Sequence, residues 1–127
     1  MLNNGYGYLK THYFPMSVLS SPEKILEEKL QQFQDNHVKG LIIDLRDNKG
    51  GYDQLVANIA GYFVKEERFY EVTSYYNKFT KKFEINHNET RKIIPTKPSY
   101  DGKIAILINS QTISSGEGLP LVLYVSF

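Results

Sequence analysis

Residues 41–51 read LIIDLRDNKGG, and the fold turns on them. Leu41 to Leu45 is an apolar run with almost no polar alternation, the pattern of a strand buried on both faces in a parallel sheet. Gly40 closes whatever precedes it, and Asp47-Asn48-Lys49-Gly50-Gly51 is a turn cluster. Beyond the turn, Leu55, Val56, Ile59, Ala60 and Phe63 recur at helical spacing.

Upstream, Gly5 to Phe14 is aromatic-rich with rough alternation and is predicted as a strand. Ser20 and Glu23 have capping-box spacing, and Pro22 is tolerated in a first helical turn because its missing N–H would have no partner there. Ile25, Leu26, Leu30 and Phe33 then line one face of a helix carried to about Val38. Strand, helix, strand at these lengths is a right-handed βαβ unit.

Downstream, Phe69 to Asn86 alternates aromatic and β-branched residues with Lys, Glu and Asn, which predicts a two-stranded excursion. Asn88 to Pro98 reads as a polar, Pro-punctuated connection. Lys103 to Asn109 is predicted as a third buried strand, running into Ser110-Gln111-Thr112-Ile113-Ser114-Ser115-Gly116-Glu117. Gly118 and Pro120 then weaken a helix start, and the β-branched and aromatic content of Leu121 to Phe127 favours a strand. The fold class is therefore α/β, a mainly parallel sheet built from βαβ units with flanking helices, in one domain over residues 1–127.

Composition narrows the function. A net charge of +1 gives no global pull toward nucleic acid or an anionic membrane. With no cysteine, disulfides, thiolate zinc clusters and a Cys nucleophile are excluded. Three scattered histidines, His12, His37 and His87, have no metal-ligand spacing, and no cofactor motif occurs. No apolar run approaches the roughly 18–20 residues of a membrane span, and Met1 to Gly5 does not read as a signal peptide.

In α/β sheets chemistry gathers at the carboxyl ends of the strands, where two segments carry it here. Ser114 opens a helix whose backbone N–H groups could stabilise an oxyanion, but Ser114-x-x-Glu117 is equally a capping box. Residues 44–51 could form an anion-binding Gly turn, or simply a strand-to-helix turn with Asp44 and Arg46 as an ion pair. It is not a Walker A loop, since Gly-Lys-Ser/Thr is absent.

Taken together the two segments are more specific. LIIDLRDNKGG followed by KIAILINSQTISSGE resembles the core of the tail-specific, or C-terminal processing, serine peptidases, whose patterns are Asp-Leu-Arg-x-Asn-x-Gly-Gly and an apolar strand leading to Ser-x-x-Glu. Gly7-Tyr8-Leu9 matches the opening strand of that family. The resemblance extends to the tricorn protease core and interphotoreceptor retinoid-binding protein, and implies a crotonase- or ClpP-like core. It implies Ser114 as nucleophile with Ser115 as its nearest rival, and oxyanion donors from Ser115 and from Gly50 or Gly51. Asp44, Arg46, Asn48 and Glu117 become structural support. The implied reaction is acyl transfer from protein or peptide substrates, without cofactor or metal, in an exported or envelope-associated parent protein.

Two departures accompany it. The Lys base of the processing branch lies on a strand well downstream of the Ser, and this sequence reaches Phe127 thirteen residues after Ser114. The upstream PDZ-type module is also not in the sequence. A truncated core, inactive or weak alone and self-associating through an open edge, is the resulting expectation. A non-catalytic peptide- or ligand-binding module on the same fold is the alternative.

Overall fold

A computed structural model describes residues 1–16 and 21–124. Its centre is a three-stranded parallel sheet in the order β1-β2-β7, formed by Gly7–Lys10, Leu41–Asp44 and Ile104–Leu107. As the apolar run predicted, β2 is the central strand. Leu41, Ile43, Asp44 and Leu45 are all buried.

Helix α1, Pro22–Asp35, returns the chain from β1 to β2. Its cap is Ser21, whose Oγ accepts from the Lys24 N–H at 3.3 Å. Ser20, expected as the cap, lies outside the described residues. The Glu23 carboxylate accepts from Asn58 Nδ2 at 2.7 Å. Leu30 and Phe33 are buried and Leu26 packs against the core, but Ile25 stays 56% exposed.

Helix α2, Asp53–Gly61, follows the Gly turn and buries Leu55, Val56, Ala57 and Ala60. The excursion then differs from expectation. Two antiparallel pairs form: β3, Arg68–Glu71, with β6, Arg91–Ile93; and β4, Ser74–Asn77, with β5, Lys82–Ile85. The strand β6 lies inside what read as a polar connection. Ile93 is fully buried there, and an apolar anchor of that kind outweighs the polar residues around it.

Strand β7 is not buried on both faces as expected. Among the described residues it is paired on one side only, with Ala105 exposed and Ile108 beyond its end 58% exposed. The segment predicted as a terminal strand is helical through Tyr124: α3 spans Ser115–Tyr124 with Pro120 inside it. Burial of Leu119, Val122 and Leu123 against the core overrides the local β preference and the Pro. Residues 125–127 lie outside the described residues. No helix among the described residues is long and apolar enough to cross a membrane.

Candidate active site

Because β1, β2 and β7 are parallel, their carboxyl ends meet at one rim, and the two sequence segments come together there. The joint is Asn48, which is fully buried. Its Nδ2 donates to the Thr11 carbonyl at 2.9 Å, and its Oδ1 accepts the Gly50 N–H at 2.8 Å. Its own carbonyl accepts the Ile113 N–H at 3.1 Å. One side chain thus ties the segment that follows β1 to the Gly turn, and its backbone ties that turn to the Ser114 loop.

Glycine is required on both sides of this joint. A Cβ on Gly50, at φ 77°, would stand 2.7 Å from Ser114 Cβ and 3.1 Å from Ser114 Oγ. A Cβ on Gly116 would stand 2.8 Å from Asn48 Oδ1. The missing side chains are what let the Gly turn and the serine approach each other.

Ser114 has φ 56°, left-handed backbone that a non-Gly residue rarely adopts, immediately before the first turn of α3. Its N–H donates to Glu117 Oε2 at 3.1 Å, so half of the capping box forms. The other half does not. The Ser114 hydroxyl is exposed and makes no hydrogen bond among the described residues. Left-handed backbone at a helix N-terminus thus leaves the Ser114 hydroxyl open to solvent and unengaged among the described residues.

Ser115 differs. It is 3% exposed, and its Oγ donates to Asp53 Oδ1 at 2.5 Å and lies 3.1 Å from the Gly51 carbonyl oxygen. Its hydroxyl is engaged, whereas its N–H, at the start of α3, has no acceptor among the described residues. The same is true of the Gly51 N–H, while the Gly50 N–H is taken by Asn48. Asp53 carried no sequence signal, because its partner is 62 positions away.

Asp44 and Arg46 do form the ion pair. Arg46 Nε and Nη2 donate to the two Asp44 oxygens at 2.9 and 2.7 Å, and Tyr8 Oη donates at 2.5 Å. Asp44 is fully buried. The Arg46 bonds above all, with Tyr8 assisting, outweigh burial and hold its carboxyl well below the usual carboxylate range. Beside the loop, Thr112 Oγ1 donates to the Leu45 carbonyl at 2.9 Å, and Asn109 Nδ2 to Asp47 Oδ1 at 2.9 Å. These last contacts were not anticipated.

Candidate bases are poorly placed. Lys103 precedes β7, at the end of the strand opposite Ser114. Lys49 Nζ turns to Gln111 Oε1 at 3.2 Å. His12, His37 and His87 are exposed and scattered. No cluster of three or more potential metal ligands occurs among the described residues.

The model of peptidase family S41 matches residues 5–124. The chain belongs to peptidase family S41. Peptidases of this family are serine hydrolases, and the resemblance of this chain's motifs to the tail-specific peptidases is borne out. Two solved structures share the fold. A protein of Parabacteroides merdae assigned as a peptidase matches 99% of this chain at 23% identity, with a TM-score of 0.73. The photosystem II D1 C-terminal processing protease matches 95% at 19% identity, with a TM-score of 0.70. The S41 chain spans 38% of the first structure's length and 28% of the second's. No curated protein matches.

Proposed function

We propose that residues 1–127 are one partial peptidase core, crotonase- or ClpP-like in plan, in which Ser114 is the nucleophile of an endopeptidase acting on protein or peptide chains. The observation that carries this reading is the exposed, unbonded Ser114 hydroxyl on left-handed backbone at the start of α3. Ser114 Oγ attacks the peptide carbonyl carbon, forming an ester as the C–N bond breaks. The proton from Oγ passes through a base to the leaving amine, and water hydrolyses the ester. The Ser115 N–H and the Gly51 N–H receive the oxyanion. Gly51 is preferred over Gly50 because its N–H is unengaged and the residue is exposed.

The base comes from polypeptide outside this chain, since none stands at hydrogen-bond distance from Ser114 among the described residues. Turnover by the isolated chain is therefore weak or nil. In the absence of a neighbouring part, the unpaired side of β7 supports self-association. Localisation in the cell envelope or beyond, and a PDZ-type companion module, stay with the family resemblance.

The test is a small fluorophosphonate probe followed by peptide mapping. With the base-bearing polypeptide present, labelling of Ser114, lost in Ser114→Ala and retained in Ser115→Ala, is the expected result. Peptide binding with no labelling, even when downstream polypeptide is restored, would instead make the chain a non-catalytic binding module.

A further inference from the structure

The β4–β5 hairpin stands off the core with unusual surface chemistry. Its register pairs Tyr76 with Phe83 and Ser74 with Ile85 on one face, and Tyr75 with Glu84 and Asn77 with Lys82 on the other. The first face is apolar and uncovered. Tyr76 and Phe83 meet edge-to-face at 5.5 Å between ring centroids, yet Phe83 remains 74% exposed and Phe79, at the tip, 97%. A two-stranded hairpin with no second layer gains little stability from such residues, so their placement calls for a partner.

Charge indicates which kind. Lys78, Lys81 and Lys82 crowd the same tip, and none forms an ion pair among the described residues. The nearby acid, Glu84, is already engaged by Tyr75, Asn77 and Thr80 at 3.1, 2.9 and 2.6 Å. The surface presented outward is therefore aromatic and cationic.

Position indicates why. Strand β6 ends against the last turn of α2, where a Cβ on Gly61 would strike the Ile94 carbonyl. Its antiparallel partner β3 consequently runs back toward the start of α2. Tyr70 Oη reaches Asp53 Oδ1 there at 3.5 Å, and Asp53 in turn holds Ser115. The chain leaves β3 at Glu71 and enters the hairpin at Ser74, so the base of the hairpin starts on the side of the molecule where Asp53 and Ser115 meet. Three or four extended residues reach only about 10–14 Å, which keeps that base near the start of α2.

We infer that the β4–β5 hairpin is a docking arm for unfolded polypeptide that carries apolar side chains and net negative charge, holding it beside Ser114. The Tyr76/Phe83 face and Phe79 take the apolar residues, and the three lysines take the acidic ones. The inference rests on the peptidase reading for its purpose but not for its binding, and the two are separable by experiment.

The measurement is fluorescence anisotropy of two labelled, unstructured peptides against the Ser114→Ala chain. Both carry Leu and Phe in a Gly/Ser background, one with Glu and Asp, the other with Lys. The acidic peptide should bind more tightly, and its affinity should fall as salt is raised. Phe79→Ser with Phe83→Ser should weaken it about tenfold or more. Lys78→Glu, Lys81→Glu and Lys82→Glu together leave the apolar face intact and should reverse the preference between peptides. Circular dichroism confirms that each variant folds.

Equal binding of the two peptides would overturn the inference, as would unchanged affinity in both variants. So would variants that lose binding only to phosphatidylcholine/phosphatidylglycerol vesicles, which would make the hairpin a membrane contact. Probe labelling of Ser114 reads the other question. Hairpin-dependent peptide binding without labelling keeps the docking arm and removes the peptidase. Labelling with hairpin-independent binding does the reverse.

Discussion

At the scale of single residues, the rim depends on a few side chains with several partners each. Asn48→Ala would leave the Gly50 N–H and the Thr11 carbonyl without their partner in a buried place. A stranded buried group costs about 1–3 kcal/mol, so a lower midpoint in urea with an unchanged slope is expected. Gly50→Ala should be at least as severe locally, because its Cβ would press on Ser114 and its φ of 77° disfavours any side chain. We expect that variant to fold but to label poorly at Ser114. Labelling at the parental rate would mean that the close approach is not needed. Asp44 adds a pH dependence. Its folded-state pKa is depressed, so its contribution to stability is complete above the ordinary carboxylate range of about 4 and is lost as pH falls toward the folded value. Acid denaturation followed by circular dichroism should show stability falling below about pH 4. In Asp44→Asn that decline should be shallower and the neutral-pH stability lower. An identical acid profile would remove Asp44 from this account.

At the scale of elements, helices α2 and α3 begin at the same rim, joined by Ser115 Oγ on Asp53. Removing that hydroxyl in Ser115→Ala should cost roughly 1.5–3 kcal/mol, the range for a hydrogen bond to a charged group. The Ser115 N–H survives the change, so probe labelling at Ser114 should persist in the folded fraction. Loss of labelling without loss of stability would point to Ser115 as the reacting hydroxyl. These elements also mark what sequence alone could reveal. The βαβ unit was legible because Leu41 to Leu45 and the Leu30/Phe33 face each have one periodicity with one explanation. The Ser114 loop and the Gly turn were legible as two motifs, yet not as one joint, because Asn48 bonds groups on three separate segments. Strand β6 was hidden because three residues in a polar stretch have no period, and only Ile93 against α2 makes them a strand. Helix α3 was misread for a related reason. Val122 and Leu123 are β-favouring or neutral locally, and the decisive term is burial against residues far away in sequence.

At the scale of the whole molecule, β7 is an edge strand of the sheet among the described residues. The free edge of β7 and the outer face of α3 form an open groove along Ile104, Ile106, Ile108, Leu121 and Tyr124. Leu121 is 66% exposed and Tyr124 82%. A strand edge unpaired among the described residues, beside an apolar helix face, is a template for another strand, and the chain spans only part of the length of the two solved structures that share its fold. As an isolated polypeptide it should therefore self-associate, with a molar mass that rises with concentration in sedimentation equilibrium. Ile108→Lys with Leu121→Lys places like charges along the groove without touching the buried core, so the thermal midpoint at low concentration should be unchanged. Association should weaken, because two such surfaces meeting would bury unpaired charges. A parental chain that stays monomeric at every concentration would mean the edge is already protected within the molecule. If instead the chain associates but the lysine variant does so equally well, the contact lies elsewhere. The aromatic face of the hairpin would then be the surface to substitute next, with Phe83→Ser expected to return the chain to a monomer.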